Sequence, residues 1–350
     1  MLVLSLFTLL LEALLILMKG SYFGELAISF LPYIWLLSLF FLIYWLFQLR
    51  KKLYKPMGKW NLKTRCAPVF VLIFWALFRI FSGEVQQFYH QDFLSKEELK
   101  APIRVLFSNI YEGNSNFEDI KQKILEEHPD IVIFVEFSDQ HKEGLKTFLD
   151  EHYPYMNTTT RSKIFVGSVV FSKFPITNLA DDFEQGSRRY GYFRVEKNQI
   201  PYYFYEIHTA SPVSKSFFER RNEQLQQLRS EFLILHPSSR EKNAKIIMLG
   251  DFNISPRSNY YKDFATSLSG ELQNSTRSFP FLFTWSLSEM LKVHHDFEFL
   301  PLWLRTVAGK FPLLRSHIDH LFISPNVKIQ NLKSIQIPGS DHRGFIFDIE

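Results

Sequence analysis

Residues 26–48 carry no charged side chain. A helix of about 20 apolar residues spans the hydrocarbon core of a bilayer, so this stretch is long enough to cross one. Two neighbouring stretches share its character. Residues 1–18 hold a single charge, Glu12, and residues 67–82 hold only Arg79, which can snorkel to the interface. Three membrane helices are therefore expected in residues 1–82. A cleaved signal peptide is the alternative for the first, although it lacks a basic leader and a small-x-small cleavage site. Residues 50–65 carry seven bases and no acid. The positive-inside rule puts this loop, and with it the N-terminus, in the cytoplasm. If residues 67–82 span, everything after Ser82 lies outside the cytoplasm, which is the reading adopted. If they only lie in the interface, the rest stays inside.

The formal charge of +4 hints at nucleic-acid binding, but its distribution removes the hint. Residues 1–82 hold nine bases and two acids, leaving 31 bases and 34 acids for residues 83–350. An enzyme of duplex DNA draws most of its non-specific affinity from a basic stripe. The basic pairs Arg188-Arg189 and Arg220-Arg221 read as solvated faces. The single cysteine, Cys66, excludes an intramolecular disulfide framework and any Cys-rich metal site.

Residues 83–102 read as a polar linker, and from Ile103 short apolar runs alternate with amphipathic stretches. Strands are expected at 103–107, 131–135, 167–171, 202–207, 246–249, 318–323 and 345–349. Helices are expected at 117–127, ended by Pro129, and at 215–232 and 260–268. Many strands with few helices suggest a packed two-layer β core flanked by helices.

The informative polar residues sit where apolar runs end. Glu136 follows 131–135, His208 follows 202–207, and Gly250-Asp251-Phe252-Asn253 follows 246–249. Asp319-His320 opens one strand, and Ser340-Asp341-His342-Arg343 precedes the last. Taken singly, each has a bland reading: a strand-end acid, a hydrogen-bonded histidine, an Asp–Asn turn. Taken together they can converge on one sheet edge. Carboxylates and amides suit a hard cation such as Mg²⁺, and an Asp that orients a His is an acid–base arrangement. That combination serves hydrolysis of phosphate esters.

The ordered series Ser108-Asn109, Asp130 to Glu136, His208-Thr-Ala-Ser-Pro212, Gly250 to Asn253, Ile318-Asp319-His320 and Ser340-Asp341-His342 resembles the endonuclease/exonuclease/phosphatase superfamily, which has the DNase I-like fold. The likeness covers about residues 103–350. The apolar N-terminus and the segment from Arg221 to Leu225 are similar to a bacterial membrane-anchored branch. The resemblance implies a four-layer α/β/β/α sandwich after three transmembrane helices, in a bacterial inner membrane, with the catalytic domain on the outer face. It implies Mg²⁺, with Mn²⁺ as a substitute, held by Glu136, Asn109 and Asp341. Asp251 would orient or deprotonate the attacking water, and Asn253 and His208 would hold phosphate oxygens. Asp319 would orient His342 against the scissile phosphate, His320 would pack beside Asp319, and Arg343 and Arg221 would reach substrate phosphate. Tyr111 stands where DNA-repair members carry an acid, which speaks against abasic-site repair.

The expected activity is a membrane-anchored, metal-dependent phosphoesterase acting on a phosphodiester or phosphomonoester. The substrate would be a lipid, a nucleotide or a nucleic acid, with the lipid bilayer as partner and no obligate protein partner. A nuclease, and a non-catalytic binding module on the same fold, are the rival readings. The apolar segment 297–314 is read as a helix packed on the domain's own core, with an excursion into the headgroup layer as the alternative.

Overall fold

The computed structural model describes residues 2–18, 20–53, 73–74, 93–158, 167–181, 190–235, 244–278, 282–294, 299–310 and 314–350. Apart from residues 73–74, the third expected membrane helix lies outside the described residues, as do Arg188-Arg189 and most of the basic loop. The chain divides into a small N-terminal unit and a larger one.

The N-terminal unit contains helices α1 (Leu2–Leu17), α2 (Tyr22–Ile28) and α3 (Leu31–Leu53). The charge-free stretch is thus not one helix. Pro32 has no N–H to donate to Ile28, so the helix stops and α3 restarts with the proline in its first turn. Residues 31–48 of α3, with mean hydropathy 1.7, form the one segment among the described residues long and apolar enough to cross a membrane. The 16-residue α1 is shorter. Polar groups of this unit pair with one another. Ser38 donates to buried Glu12 at 2.6 Å, and the Trp45 indole donates to Ser5 at 2.9 Å.

The larger unit is built on two six-stranded sheets. One sheet has the order β13 (Ile329–Gln336), β14 (Arg343–Ile349), β1 (Ile103–Asn109), β2 (Ile131–Phe137), β4 (Gly167–Ser172), β3 (Tyr155–Thr158). The other has the order β5 (Ile176–Asp181), β6 (Tyr190–Lys197), β7 (Ile200–His208), β8 (Lys245–Asp251), β12 (Asp319–Ile323), β9 (Gln273–Asn274). Each sheet has one parallel pair at its centre, β1 with β2 and β7 with β8. Both strands of each pair therefore end on the same edge.

The side-chain alternation of strands sorts the core into three layers. Val105, Phe107, Ile133 and Val135 of the first sheet meet Phe193, Phe204, Leu249 and Leu321 of the second in the inter-sheet core. The outer face of the first sheet packs on α4 (Phe117–Glu127) and α5 (Asp139–His152) through Ile120, Ile124, Leu145 and Leu149. The outer face of the second packs on α6 (Lys215–Leu235) and α7 (Asn259–Ser267) through Leu225, Phe232 and Phe264. The expected four-layer α/β/β/α sandwich is the architecture observed.

A smaller hairpin, β10 (Trp285–Ser286) with β11 (Arg315–Ser316), encloses helices α8 (Leu287–Val293) and α9 (Leu302–Lys310). Here the expected core packing of segment 297–314 is overturned for its described residues, of which Phe299 and Leu302 are 77% and 76% exposed.

Candidate active site

The alternation that builds the inter-sheet core also delivers the site. In β1 the inward set Ile103, Val105, Phe107 continues to Asn109. In β8 Ile247 and Leu249 continue to Asp251, and in β12 Ile323 and Leu321 run back to Asp319. His208 continues the inward set of β7. Register sets His208, Asp251 and Asp319 side by side across the second sheet. The apolar core thus ends in a polar edge, with both sheets contributing.

Glu136 needs a further device, because strict alternation from Val135 would turn it outward. The ladder between β2 and β4 shifts register between Phe134 and Phe137, and Glu136 sits in the left-handed region at φ 58°. This bulge turns its carboxylate into the cluster. At Gly250 (φ 155°) an added Cβ would meet the Ile207 carbonyl oxygen, so only glycine lets β8 approach β7 this closely.

The Asn109 Nδ2 amide donates to Glu136 Oε1 at 2.8 Å and to Asp251 Oδ2 at 3.2 Å. Asn109 Oδ1 accepts the Tyr111 N–H at 3.0 Å, and the Glu112 N–H donates to Glu136 Oε2 at 3.2 Å. His208 Nε2 lies 3.7 Å from Glu136 Oε1. His342 Nδ1 lies 3.0 Å from Asp319 Oδ2, while its Nε2 faces Asp251 Oδ2 at 3.8 Å. The Asn253 N–H donates to Asp251 Oδ1 at 2.9 Å, with Asn253 itself left-handed at φ 49°. Ser340 Oγ donates to the Asn109 carbonyl at 2.8 Å and accepts the His342 N–H at 3.0 Å, joining the last motif to the first.

Burial sets the electrostatics. It pushes the Glu136 carboxyl up, against the His342 charge and the Asn109 hydrogen bond. Asp251 is pushed well above the carboxylate range by burial and by the neighbouring Asp319 charge. Burial opposes charging of His342, but Asp319 and Asp251 outweigh it and hold the imidazolium well above an ordinary histidine. Asp341 is the exception. Despite burial, contacts from His294 and the His342 charge hold it low.

Two sets of ligand atoms lie within 4.8 Å of one another: Glu136, His208, Asp251 and Asp251, Asp319, His342. Among the described residues, the ion-pair partners of Glu136, Asp251, Asp319 and Asp341 are all histidines. Several carboxylates converging without a lysine or arginine fit a divalent cation. The first set fits better, because His342 Nδ1 in the second is already engaged by Asp319.

A family described as Endonuclease/Exonuclease/phosphatase family matches residues 106–342. The chain belongs to the endonuclease/exonuclease/phosphatase family. It is a hydrolase of phosphate ester bonds. No curated protein sequence matches it. Among solved structures, it is similar to TDP2 of D. rerio complexed with single strand DNA product (16% identity, TM-score 0.54), covering 72% of this chain and 100% of that one. SmcL (17%, TM-score 0.51) covers 71% and 99%, and truncated TDP2 of Caenorhabditis elegans (14%, TM-score 0.52) covers 71% and 97%. At these identities the likeness speaks for the fold.

Within this family member, several expected placements change. Asn109 turns its amide N–H₂, not its oxygen, toward the carboxylates, so it bridges Glu136 and Asp251 as a donor. Asp341 belongs to neither ligand set. Its Oδ2 accepts the Trp285 indole at 2.8 Å, and its Oδ1 faces His294 Nε2 at 3.4 Å. Arg221 is buried and does not reach outward. It donates to the Asn253 carbonyl at 3.0 Å and twice to Asn222 Oδ1, so it braces the Asn253 turn. Arg343 is partly buried, with Nε donating to Ser334 Oγ at 2.8 Å. His320 points to the opposite face, where Nε2 meets the Ile254 carbonyl at 2.9 Å and Phe252 and Tyr261 pack on its ring.

Three site residues escaped the sequence reading. Thr284 Oγ1 accepts the N–H groups of Ile318 and Asp319, both at 3.0 Å, fixing the start of β12. Trp285 and His294 hold Asp341, and His294 stacks on Tyr111 with ring centroids 4.0 Å apart. Their one sequence signal is a His294-His295 pair that nothing local ties to the site.

Proposed function

We propose that the chain is a membrane-anchored phosphodiesterase or phosphomonoesterase. It would use Mg²⁺, or Mn²⁺ in its place, and in-line attack by water. The observation that carries this reading is the convergence of Glu136, His208, Asp251 and the Asp319–His342 pair on one polar edge, with no lysine or arginine paired to the carboxylates among the described residues.

Glu136 and Asp251, with His208 beside them, would hold the cation. When bound, it supplies charge neutralisation of the phosphate and a lowered pKa for water. Asn109 spans Glu136 and Asp251 and keeps the two carboxylates at a fixed separation. Asp251, raised by its surroundings, is poised to accept a proton from water near neutral pH. Asn253 orients it through its backbone N–H. Asp319 holds His342 by Nδ1, so that the Nε2–H of the imidazolium, 3.8 Å from Asp251, is turned into the site to meet the charge that builds on the phosphorus oxygens. Arg343, with its terminal amino groups not engaged among the described residues, is the second group suited to a phosphate oxygen. Asp341 serves the wall of the site through Trp285 and His294.

The anchor is residues 1–82, joined through 83–102 to the catalytic domain at 103–350. The apolar α3 and the seven bases of 50–65 support this arrangement, with the loop cytoplasmic and the domain on the outer face of a bacterial inner membrane. The test is a substrate panel on the purified full chain with and without Mg²⁺: plasmid DNA, RNA, phospholipids, inositol phosphates and an aryl phosphodiester. The expected result is Mg²⁺-dependent hydrolysis of at least one ester, abolished in His342→Ala. Activity that survives chelation or the substitution overturns the mechanism.

A further inference from the structure

The insert between β10 and β11 exposes an apolar face beside the site. In α9 the side chains of Leu302, Trp303 and Val307 are 76%, 66% and 44% exposed, and Phe299 just ahead of the helix is 77% exposed. The spacing 302, 303, 307 puts these three on one side of α9. The opposite side is occupied. Arg305 donates to the carbonyls of Leu291 and Lys292 at 3.0 and 3.1 Å, which caps α8 and locks α9 against it. The apolar face is therefore held outward by the fold.

The roots of this insert are walls of the site. Trp285 begins it and donates to Asp341, the Ser286 N–H donates to the Asp341 carbonyl at 3.1 Å, and His294 at the end of α8 faces Asp341. Trp285 also forms an isolated bridge with His342. Whatever seats on the tip of the insert is thus brought to the mouth of the site.

We infer that this insert docks on a phospholipid bilayer and that the substrate is the phosphodiester of a phospholipid headgroup. The inference rests on the phosphoesterase reading above. Two observations select a bilayer over a protein partner. The chain carries its own apolar segment of membrane-spanning length at 31–48. A tryptophan stands at the centre of the exposed face, the residue favoured at the headgroup boundary. A soluble ester would need neither of these.

The test uses the full chain reconstituted into vesicles of phosphatidylglycerol and phosphatidylcholine, as wild type, Trp303→Phe and a Leu302→Glu/Trp303→Glu double variant. In vesicles containing dibrominated phosphatidylcholine, wild type should lose a component of tryptophan fluorescence that Trp303→Phe lacks. The charged variant should cut phospholipid turnover roughly tenfold or more. It should leave Mg²⁺-dependent kcat/KM on a soluble aryl phosphodiester within about twofold of wild type. Equal quenching in wild type and Trp303→Phe overturns the docking, as does equal loss on both substrates with an unchanged melting temperature. So does lipid-independent self-association that the charged variant abolishes. Hydrolysis of neither ester by wild type overturns the phosphoesterase reading instead, and the quenching still decides the docking.

Discussion

Replacing Asp319 by Asn isolates the contribution of one charge to the site. The side chain keeps its shape and can still accept from His342 Nδ1, but the negative charge 3.0 Å away is gone. With the charges spread over two oxygens and an imidazole ring, the effective separation is about 4–5 Å. At an effective dielectric near 20 that corresponds to about 3–4 kcal/mol of lost preference for the imidazolium. Burial opposes the imidazolium, so once Asp319 is neutral, Asp251 and Asp341 must hold it up without their strongest partner. The pH at which the imidazolium loses its proton then moves downward. The assay is kcat/KM on a soluble aryl phosphodiester at saturating Mg²⁺ from pH 5 to 10. The expected outcome is a drop of roughly 10²-fold on the alkaline side of the profile, with much of the activity recovered toward its acid end as the alkaline limb moves acidward. Relief of the repulsion between Asp319 and Asp251 should offset part of the lost pairing, so the melting temperature should fall by less than that pairing alone implies. A uniform loss at every pH, with the alkaline limb unmoved, would refute the electrostatic role of Asp319.

Other outcomes follow from burial and backbone geometry. Asp251 and Glu136 have raised pKa values in the folded chain, so they add stability below pH 4 that is lost as the pH rises through their folded values. The metal-free melting temperature should therefore decline toward pH 8, and Mg²⁺ should reverse the decline while releasing protons, measurable by calorimetry in buffers of different ionisation enthalpy. His141 behaves oppositely. Burial lowers it to about 4, so its neutral form stabilises the fold near pH 7 and the contribution fades as the pH drops through 6.5 toward 4. His141→Gln should shrink the urea-stability difference between pH 7 and pH 5 by about 2 kcal/mol. Gly250→Ala should destabilise the fold by roughly 2–3 kcal/mol or more in urea melts, since the new methyl meets the Ile207 carbonyl. A neutral result would mean that β7 and β8 tolerate a wider spacing.

The strand runs at 103–107, 131–135, 246–249 and 345–349 were legible because buried strands read as unbroken apolar segments. The polar residues that end them were legible for the same reason, as charges placed where burial stops. Less was visible in β13, where polar and apolar residues mix and Asn331 interrupts the ladder at φ 54°. Helix α5 buries little beyond Leu145 and Leu149, too sparse a pattern to call from spacing. The side on which a polar residue faces was not legible. Arg221 and His320 carry the same chemistry in either direction, and packing turned both away from the site.

By itself, the sequence determined that this chain has an apolar N-terminus, a two-sheet domain and a set of metal-compatible strand ends, since periodicity and charge are local properties. Tertiary structure alone decided which of those ends meet. The bulge at Glu136 is set against β4, the register of β12 against β8 pairs Asp319 with Asp251, and Asn109 meets Asp251 across 142 residues of chain. The same holds for the segment at 299–310, whose composition fits a core helix as well as a surface one. Its apolar face is outward because Arg305 commits the other side to α8, a contact no spacing of residues announces.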